Sequence, residues 1–247
     1  MIHLRRAALL LAVTWVAVLV VGCPSPEPGE LVEQAQAQLN SRKFDQAIAL
    51  LTRAVRMDSS MVEAWFLRGK AYGDRGCDRE DGKDFGRAVG DFTRALVLRP
   101  DMADAFYFRG SALNALGKSE NAFLDLGRAT ELKPDFPEAF LLRGTIRASL
   151  GNYDSALVDL DHALELSPGD PTVHMVKGLV YEEMGRKDDA IAAYESYISL
   201  VGTDPTMAVE VEAMEERIHE IKSGLRVRVL VDPHKGPGSG EDIPQRN

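Results

Sequence analysis

Few residues of this 247-residue chain could do chemistry: Cys23, Cys77, five scattered histidines (His3, His162, His174, His219, His234) and a crowd of carboxylates within 73–84. The carboxylates Asp74, Asp78, Glu80, Asp81 and Asp84 suggest calcium, which takes oxygen ligands. Their order does not fit a calcium-binding loop: with Gly82 at the sixth position, Cys77 and Arg79 fall where acids belong. The segment reads as a solvated acidic loop, with a partner contact as the next reading. No two histidines have the spacing of a metal pair, and no Gly-x-Ser-x-Gly, P-loop or dinucleotide fingerprint occurs. No metal, cofactor, small-molecule substrate or catalytic constellation is therefore expected. Cys77 has no cysteine left to pair with if Cys23 is consumed elsewhere, and stands as a reactive thiol or a bystander in a loop.

Cys23 has a context of its own. "MIHLRR" is basic, residues 7–21 form an apolar run of fifteen, and "VVGC" closes it. A basic segment, an apolar run and a small residue before the cut describe a secretory signal, and fifteen residues fall short of the ~20 a spanning helix needs. "VVGC" resembles the lipobox of bacterial lipoproteins. That resemblance implies a signal peptide over 1–22, lipidation of Cys23, and attachment on the exported side of a bacterial membrane. With Pro24 rather than aspartate following, the outer membrane or periplasmic face is favoured. A plain uncleaved anchor that contains a cysteine is the other reading. Residues 23–29 then form a Pro-rich tether. The formal charge is −9, and a chain cut before Cys23 loses Arg5 and Arg6 and no acid, reaching −11. Such a charge argues against a nucleic-acid partner, whose phosphates must be neutralised.

The elements behind these residues are repeats. Gly110, Gly144 and Gly178 are spaced by 34, as are Ala122, Ala156 and Ala190, and Pro100, Pro134 and Pro168. Gly69 and Ala88 join the series after a seven-residue insertion. One unit reads Trp65/Gly69/Ala88/Phe92/Ala95/Pro100, the next Phe106/Gly110/Ala122/Leu126/Ala129/Pro134, then Phe140/Gly144/Ala156/Leu160/Ala163/Pro168, and a fifth keeps His174/Gly178/Ala190/Tyr194. This pattern resembles the tetratricopeptide repeat (TPR). The resemblance implies an all-α, right-handed TPR solenoid of five helix-hairpin units over 30–202: about 28–61, 62–102 with the insertion, 103–136, 137–170 and 171–202. A capping helix over 205–223 follows, with Ala208, Val211, Met214, Ile218 and Ile221 on its apolar face, and then a disordered tail over 224–247. The first unit is degenerate, with Ala35 for the glycine and Ser59 for the proline, as terminal repeats commonly are.

Each unit is expected to pair two antiparallel helices, A and B, so closely that small residues must meet at Gly110 and Ala122, with Phe106 and Leu126 filling the space around them. Proline stops helix B, and the insertion is expected to lengthen the turn of unit two. Arg68, Arg109, Arg143 and Lys177 precede the glycines, while Asp91, Asp125 and Asp159 hold one site on the B helices. Each Asp lies 18 residues before the next basic residue, which predicts ion pairs such as Asp125–Arg143 stitching unit to unit; the other reading is a charged binding stripe.

By the resemblance, the concave face is lined by the A helices and binds a peptide or protein. Its positions fall at Glu63, Phe66, Lys70 and Gly73; at Asp104, Tyr107, Ser111 and Asn114; at Glu138, Leu141, Thr145 and Ala148; and at Thr172, Met175, Leu179 and Glu182. Phe66, Lys70, Tyr107, Ser111, Asn114, Leu141, Thr145 and Met175 are the expected partner-binding residues, with Phe66, Tyr107 and Leu141 aligned as exposed anchors. The carboxylate clamp of chaperone-tail receptors is missing, since Val32 and Gln36 stand at its Lys and Asn positions. The function expected is a lipid-tethered, non-enzymatic interaction scaffold, in envelope or pilus-secretin assembly; the alternative is an accessory or regulatory subunit of an envelope enzyme complex.

Overall fold

Alanine and leucine recurring at three- and four-residue spacing give each segment an apolar stripe along a helix. The computed structural model describes residues 26–224, and there every element is helical. Five hairpins pair α1 (Pro28–Asn40) with α2 (Phe44–Met57), α3 (Val62–Arg79) with α4 (Gly82–Leu98), α5 (Ala103–Ala115) with α6 (Ser119–Leu132), α7 (Pro137–Ser149) with α8 (Tyr153–Leu166), and α9 (Pro171–Glu183) with α10 (Lys187–Val201). A short 3₁₀ turn, Pro205–Met207, leads into α11 (Ala208–Ser223). Helices α4, α6 and α8 each end two residues before Pro100, Pro134 or Pro168, where the next residue is pushed out of the α region. Asp170 and Asp204 cap the elements that follow, accepting from the backbone N–H of Thr172 and Thr206. In units three to five the A-to-B turn passes through Gly117, Gly151 and Gly185 at φ 70–76°; Arg42 and Glu80 hold the corresponding left-handed position in units one and two.

One contact recurs inside the hairpins: Arg-Gly on helix A meets Asp-Phe or Asp-Leu on helix B. A Cβ added at Gly69 would lie 2.8 Å from the Phe92 ring, at Gly110 3.1 Å from Leu126 Cγ, and at Gly144 3.0 Å from Leu160 Cγ; at Gly178 it would collide with Tyr194. In units two to four the residue before the glycine reaches the residue before the aromatic or leucine. Arg68 donates to both oxygens of Asp91 (2.7 and 2.8 Å), Arg109 to both of Asp125 (2.7 Å each) and Arg143 to both of Asp159 (2.9 and 2.6 Å). Each guanidinium also lies over the aromatic three residues earlier, at Trp65, Phe106 or Phe140.

The ion pairs therefore close within a unit, and the expected Asp125–Arg143 pairing between units does not form. The reason is register: the glycine abuts the residue after the aspartate, so the same hairpin contact sets the two charges side by side. What crosses to the preceding unit is the remaining Nη1, which Arg68, Arg109 and Arg143 give to the hydroxyls of Thr52, Thr93 and Thr130. In unit five Ala193 stands at the aspartate position, and Lys177 reaches back 2.6 Å to Asp161 of unit four instead.

The core is a chain of apolar clusters shared between neighbours, the last joining Ala190 and Tyr194 to Ile218 and Ile221 of α11. That cap buries less than its pattern implies. Met214, Ile218 and Ile221 pack, whereas Ala208 is exposed and Val211 half-buried. Pro28 and Gly29, expected in the tether, begin α1 with proline in its first turn. The segment expected to be a signal peptide, Cys23 and the residues beyond Gly224 lie outside the described residues.

The packing can be tested directly. Gly178→Ala should cost about 2 kcal/mol or more in chemical denaturation, because Tyr194 is fully buried and cannot yield. Gly73→Ala, in mid-helix with nothing within 4 Å, should stabilise by up to about 1 kcal/mol. A double-mutant cycle on Arg109 and Asp125 should show coupling of about 1 kcal/mol or more, and one on Asp125 and Arg143 near-additivity; the reverse result would restore pairing between units.

Candidate functional site

The insertion in unit two does not lengthen a loop. Helices α3 and α4 run to 18 and 17 residues, against 13 and 14 in the hairpins on either side, and only Glu80 and Asp81 separate them. Seven residues before Asp91-Phe92 stands Asp84-Phe85, and seven after Arg68-Gly69 stands Arg75-Gly76. In an antiparallel hairpin these displacements bring the second set together as the first is brought together. A Cβ at Gly76 would lie 3.1 Å from Phe85, and Arg75 donates to both oxygens of Asp84 at 2.7 Å. The insertion is thus a second copy of the hairpin contact, two turns further out, and builds a rigid arm.

Most of its carboxylates are committed. Asp84, 1% exposed, also accepts from Arg87 at 2.7 Å. Asp45 of unit one holds Arg75 and Arg79, Asp78 accepts from Arg42 at 2.7 Å, and Asp81 caps α4 through the Lys83 N–H. The Arg75 hydrogen bond holds the Asp84 carboxyl below its ordinary value although burial pushes the other way. Reading 73–84 as a solvated acidic loop is corrected accordingly: the second Arg-Gly/Asp-Phe contact extends both helices and binds the charges.

Between the arm and the A helices of units three and four lies a hollow of about 610 Å³. The arm contributes Cys77, Glu80 and Phe85, α5 contributes Ser111 and Asn114, and α7 contributes Thr145, Ile146 and Ser149. Of the residues expected on the concave face, Ser111, Asn114 and Thr145 meet here. The others do not. Phe66 packs its ring 5.8 Å from Phe92 and 5.7 Å from Phe108, and Lys70 sets its ammonium 5.0 Å over Phe108. Tyr107 lies 4.9 Å from Phe136, and burial pushes its hydroxyl pKa up. Leu141 packs on the cluster joining units four and five, and Met175 is half-buried on α9. Phe66, Tyr107 and Leu141 are thus joints between units rather than free anchors.

Cys77 is exposed at the hollow, where partial desolvation, then the carboxylates of Asp74 and Asp78, push its thiol up. It stays protonated rather than a reactive thiolate. Cys77, Glu80, Phe85 and Ser149 were not among the expected site residues; the repeated Asp-Phe-x-Arg-Ala at 84–88 and 91–95 is the signal that places the arm. Among the described residues no group of three or more His, Cys, Asp or Glu could hold a metal ion, and no helix is long and apolar enough to cross a membrane.

Successive helical hairpins, stacked in sequence order with glycine and alanine at the A–B contact, define a helical-repeat solenoid. The tetratricopeptide repeat family model matches residues 32–76, 74–138, 125–171 and 141–206, and the chain belongs to that family. Among solved structures it is similar to MamA protein (23% identity, TM-score 0.62, covering 73% of this chain and 95% of that one). It is also similar to YrrB, described as a TPR protein with an unusual peptide-binding site (23%, 0.59, 74% and 90%). A third is TTC0263, a thermophilic TPR protein of Thermus thermophilus (21%, 0.60, 76% and 99%). At these identities the likeness shows the fold. No curated protein matches the chain by sequence.

Arg75→Met should destabilise the protein by about 3 kcal/mol, since it strips a buried carboxylate of its main partner. Tyr107→Ala should cost about 2–4 kcal/mol through lost inter-unit packing. Urea denaturation checks both, and a silent Tyr107→Ala would return that residue to the free surface.

Proposed function

We propose that the chain is a non-enzymatic protein–protein interaction scaffold that binds a peptide or protein segment on its concave face. The observation that carries this reading is the hollow, where polar side chains from three successive units converge on a rigid wall. Membership of a repeat family whose stacked units build extended concave surfaces supports it, as does the peptide-binding site described for YrrB. The "VVGC" sequence supports lipid attachment at Cys23, on the exported side of a bacterial membrane at the outer membrane or periplasmic face. A role in envelope or pilus-secretin assembly is the setting that such an anchor suits.

Two measurements test this. A photo-crosslinking residue at Asn114 or Thr145 should trap a partner in cells, while one at Val158, exposed on the B-helix side, should not; trapping from Val158 alone would move the working surface to the opposite face. Cys23→Ser should abolish detergent-phase partitioning, and unchanged partitioning and mass would remove the lipid anchor.

A further inference from the structure

The hollow sets a carboxylate and hydroxyl acceptors beside the Asn114 amide. Two hydroxyls at its wall have already given their protons to helix carbonyls: Thr145 Oγ1 donates to Leu141 O at 2.9 Å and Ser149 Oγ to Ile146 O at 2.8 Å. What they offer a ligand is lone pairs. The one charged residue lining the hollow is Glu80, which has no ion-pair partner among the described residues. The neighbouring arginines are neutralised: Arg75 and Arg79 by Asp84 and Asp45, Arg42 by Asp78, and Arg147 by Asp159 at 2.8 Å. Lys70, further along α3, lies over Phe108. Phe85, half-buried, adds an apolar surface of the kind that covers the methylenes of a long basic side chain. The described residues as a whole carry 23 Lys and Arg against 35 Asp and Glu, a formal charge of −12.

We propose that this hollow takes a Lys- or Arg-bearing stretch of an extended peptide. The basic side chain lies along Phe85, its cation meets Glu80, and donor N–H groups meet the hydroxyl oxygens of Thr145 and Ser149. A guanidinium or ammonium is donor-only, the complement of a carboxylate and two committed hydroxyls, while the Asn114 amide and Ser111 hydroxyl remain for the peptide's own carbonyls. The volume, about 610 Å³, falls within the range of roughly 300–1,000 Å³ for ligand-sized sites, so more than one residue of the peptide enters. Glu80 occupies the left-handed turn position that Gly117, Gly151 and Gly185 fill in later units, so the turn itself does not require a carboxylate. The proposal rests on the concave-face reading and names the chemistry of its partner.

The test uses the full chain and fluorescence anisotropy with a labelled Gly/Ser nonapeptide bearing a central Lys-Arg-Lys, beside versions with Glu or Ser at those places. The cationic peptide should bind, more weakly as salt rises, and the acidic one should not. Glu80→Gly, which restores glycine to the turn, should weaken binding about tenfold. Glu165→Gln, the same charge change at an exposed site on α8, should leave it unchanged. Ser149→Trp, at an exposed position on the hollow's wall, should abolish binding. If Glu80→Gly binds as wild type, or Glu165→Gln loses as much, the attraction is diffuse and the proposal falls. If the Ser peptide binds as tightly as the cationic one and Ser149→Trp removes both, the groove stands and only the cation preference is overturned. Binding that survives Ser149→Trp intact overturns the proposal and the concave-face reading together.

Discussion

The packing of one glycine against one large side chain, with an arginine and an aspartate beside them, is the constraint on which the solenoid depends. At Gly110 an added Cβ would stand 3.2 Å from the carbonyl oxygen of Ala122 on the opposite helix, so the two backbones approach as closely as they can. The close approach carries Arg109 onto Asp125, 7% exposed, in a geometry that satisfies both carboxylate oxygens. Burying an aspartate is tolerable only with such pairing. The glycine costs helix propensity, and the contact offsets it by fixing register: a slip of one residue would strip a buried carboxylate and drive a side chain into a backbone.

The same constraint explains the arm. A seven-residue insertion into a helical hairpin would ordinarily enlarge the turn, since the added segments have nothing to pack on. Here Arg75-Gly76 and Asp84-Phe85 supply a second contact in register with the first, and the helices extend to meet it. Asp45 then ties the arm to unit one through Arg75 and Arg79. The result is one wall of the hollow, braced by internally paired charges, and the neighbouring arginines are spent in that balance. This is why the wall faces the hydroxyls of units three and four with Glu80.

The end of the stack uses different chemistry. In unit five Tyr194 takes the place above Gly178 and its hydroxyl donates to Glu182 at 2.5 Å, while Arg217 of the cap donates to the same carboxylate at 2.6 Å. Burial, then the hydrogen bond to Glu182, push the Tyr194 hydroxyl pKa up, so it remains a donor. The cap is thereby fastened by a charged hydrogen bond as well as by Ile218 and Ile221, while its first half stays on the surface.

The sequence by itself determined the repeat, the helical class and the identity of the contact residues, because a 34-residue period leaves glycine, alanine and proline at positions whose steric roles have few alternatives. It also carried the second Asp-Phe and Arg-Gly pairs in plain view, though spacing along the chain does not say which partner a charge will choose. Only the tertiary structure decided that Asp125 belongs to Arg109 and not to Arg143, because the choice depends on antiparallel register, which places residues far apart in sequence at the same height. It likewise decided that Phe66, Tyr107 and Leu141 are joints while Ser111, Asn114 and Thr145 open into a hollow. Groove positions on a helix face a neighbouring unit or solvent according to how the units are turned, and that rotation comes from packing summed over many side chains rather than from any one motif.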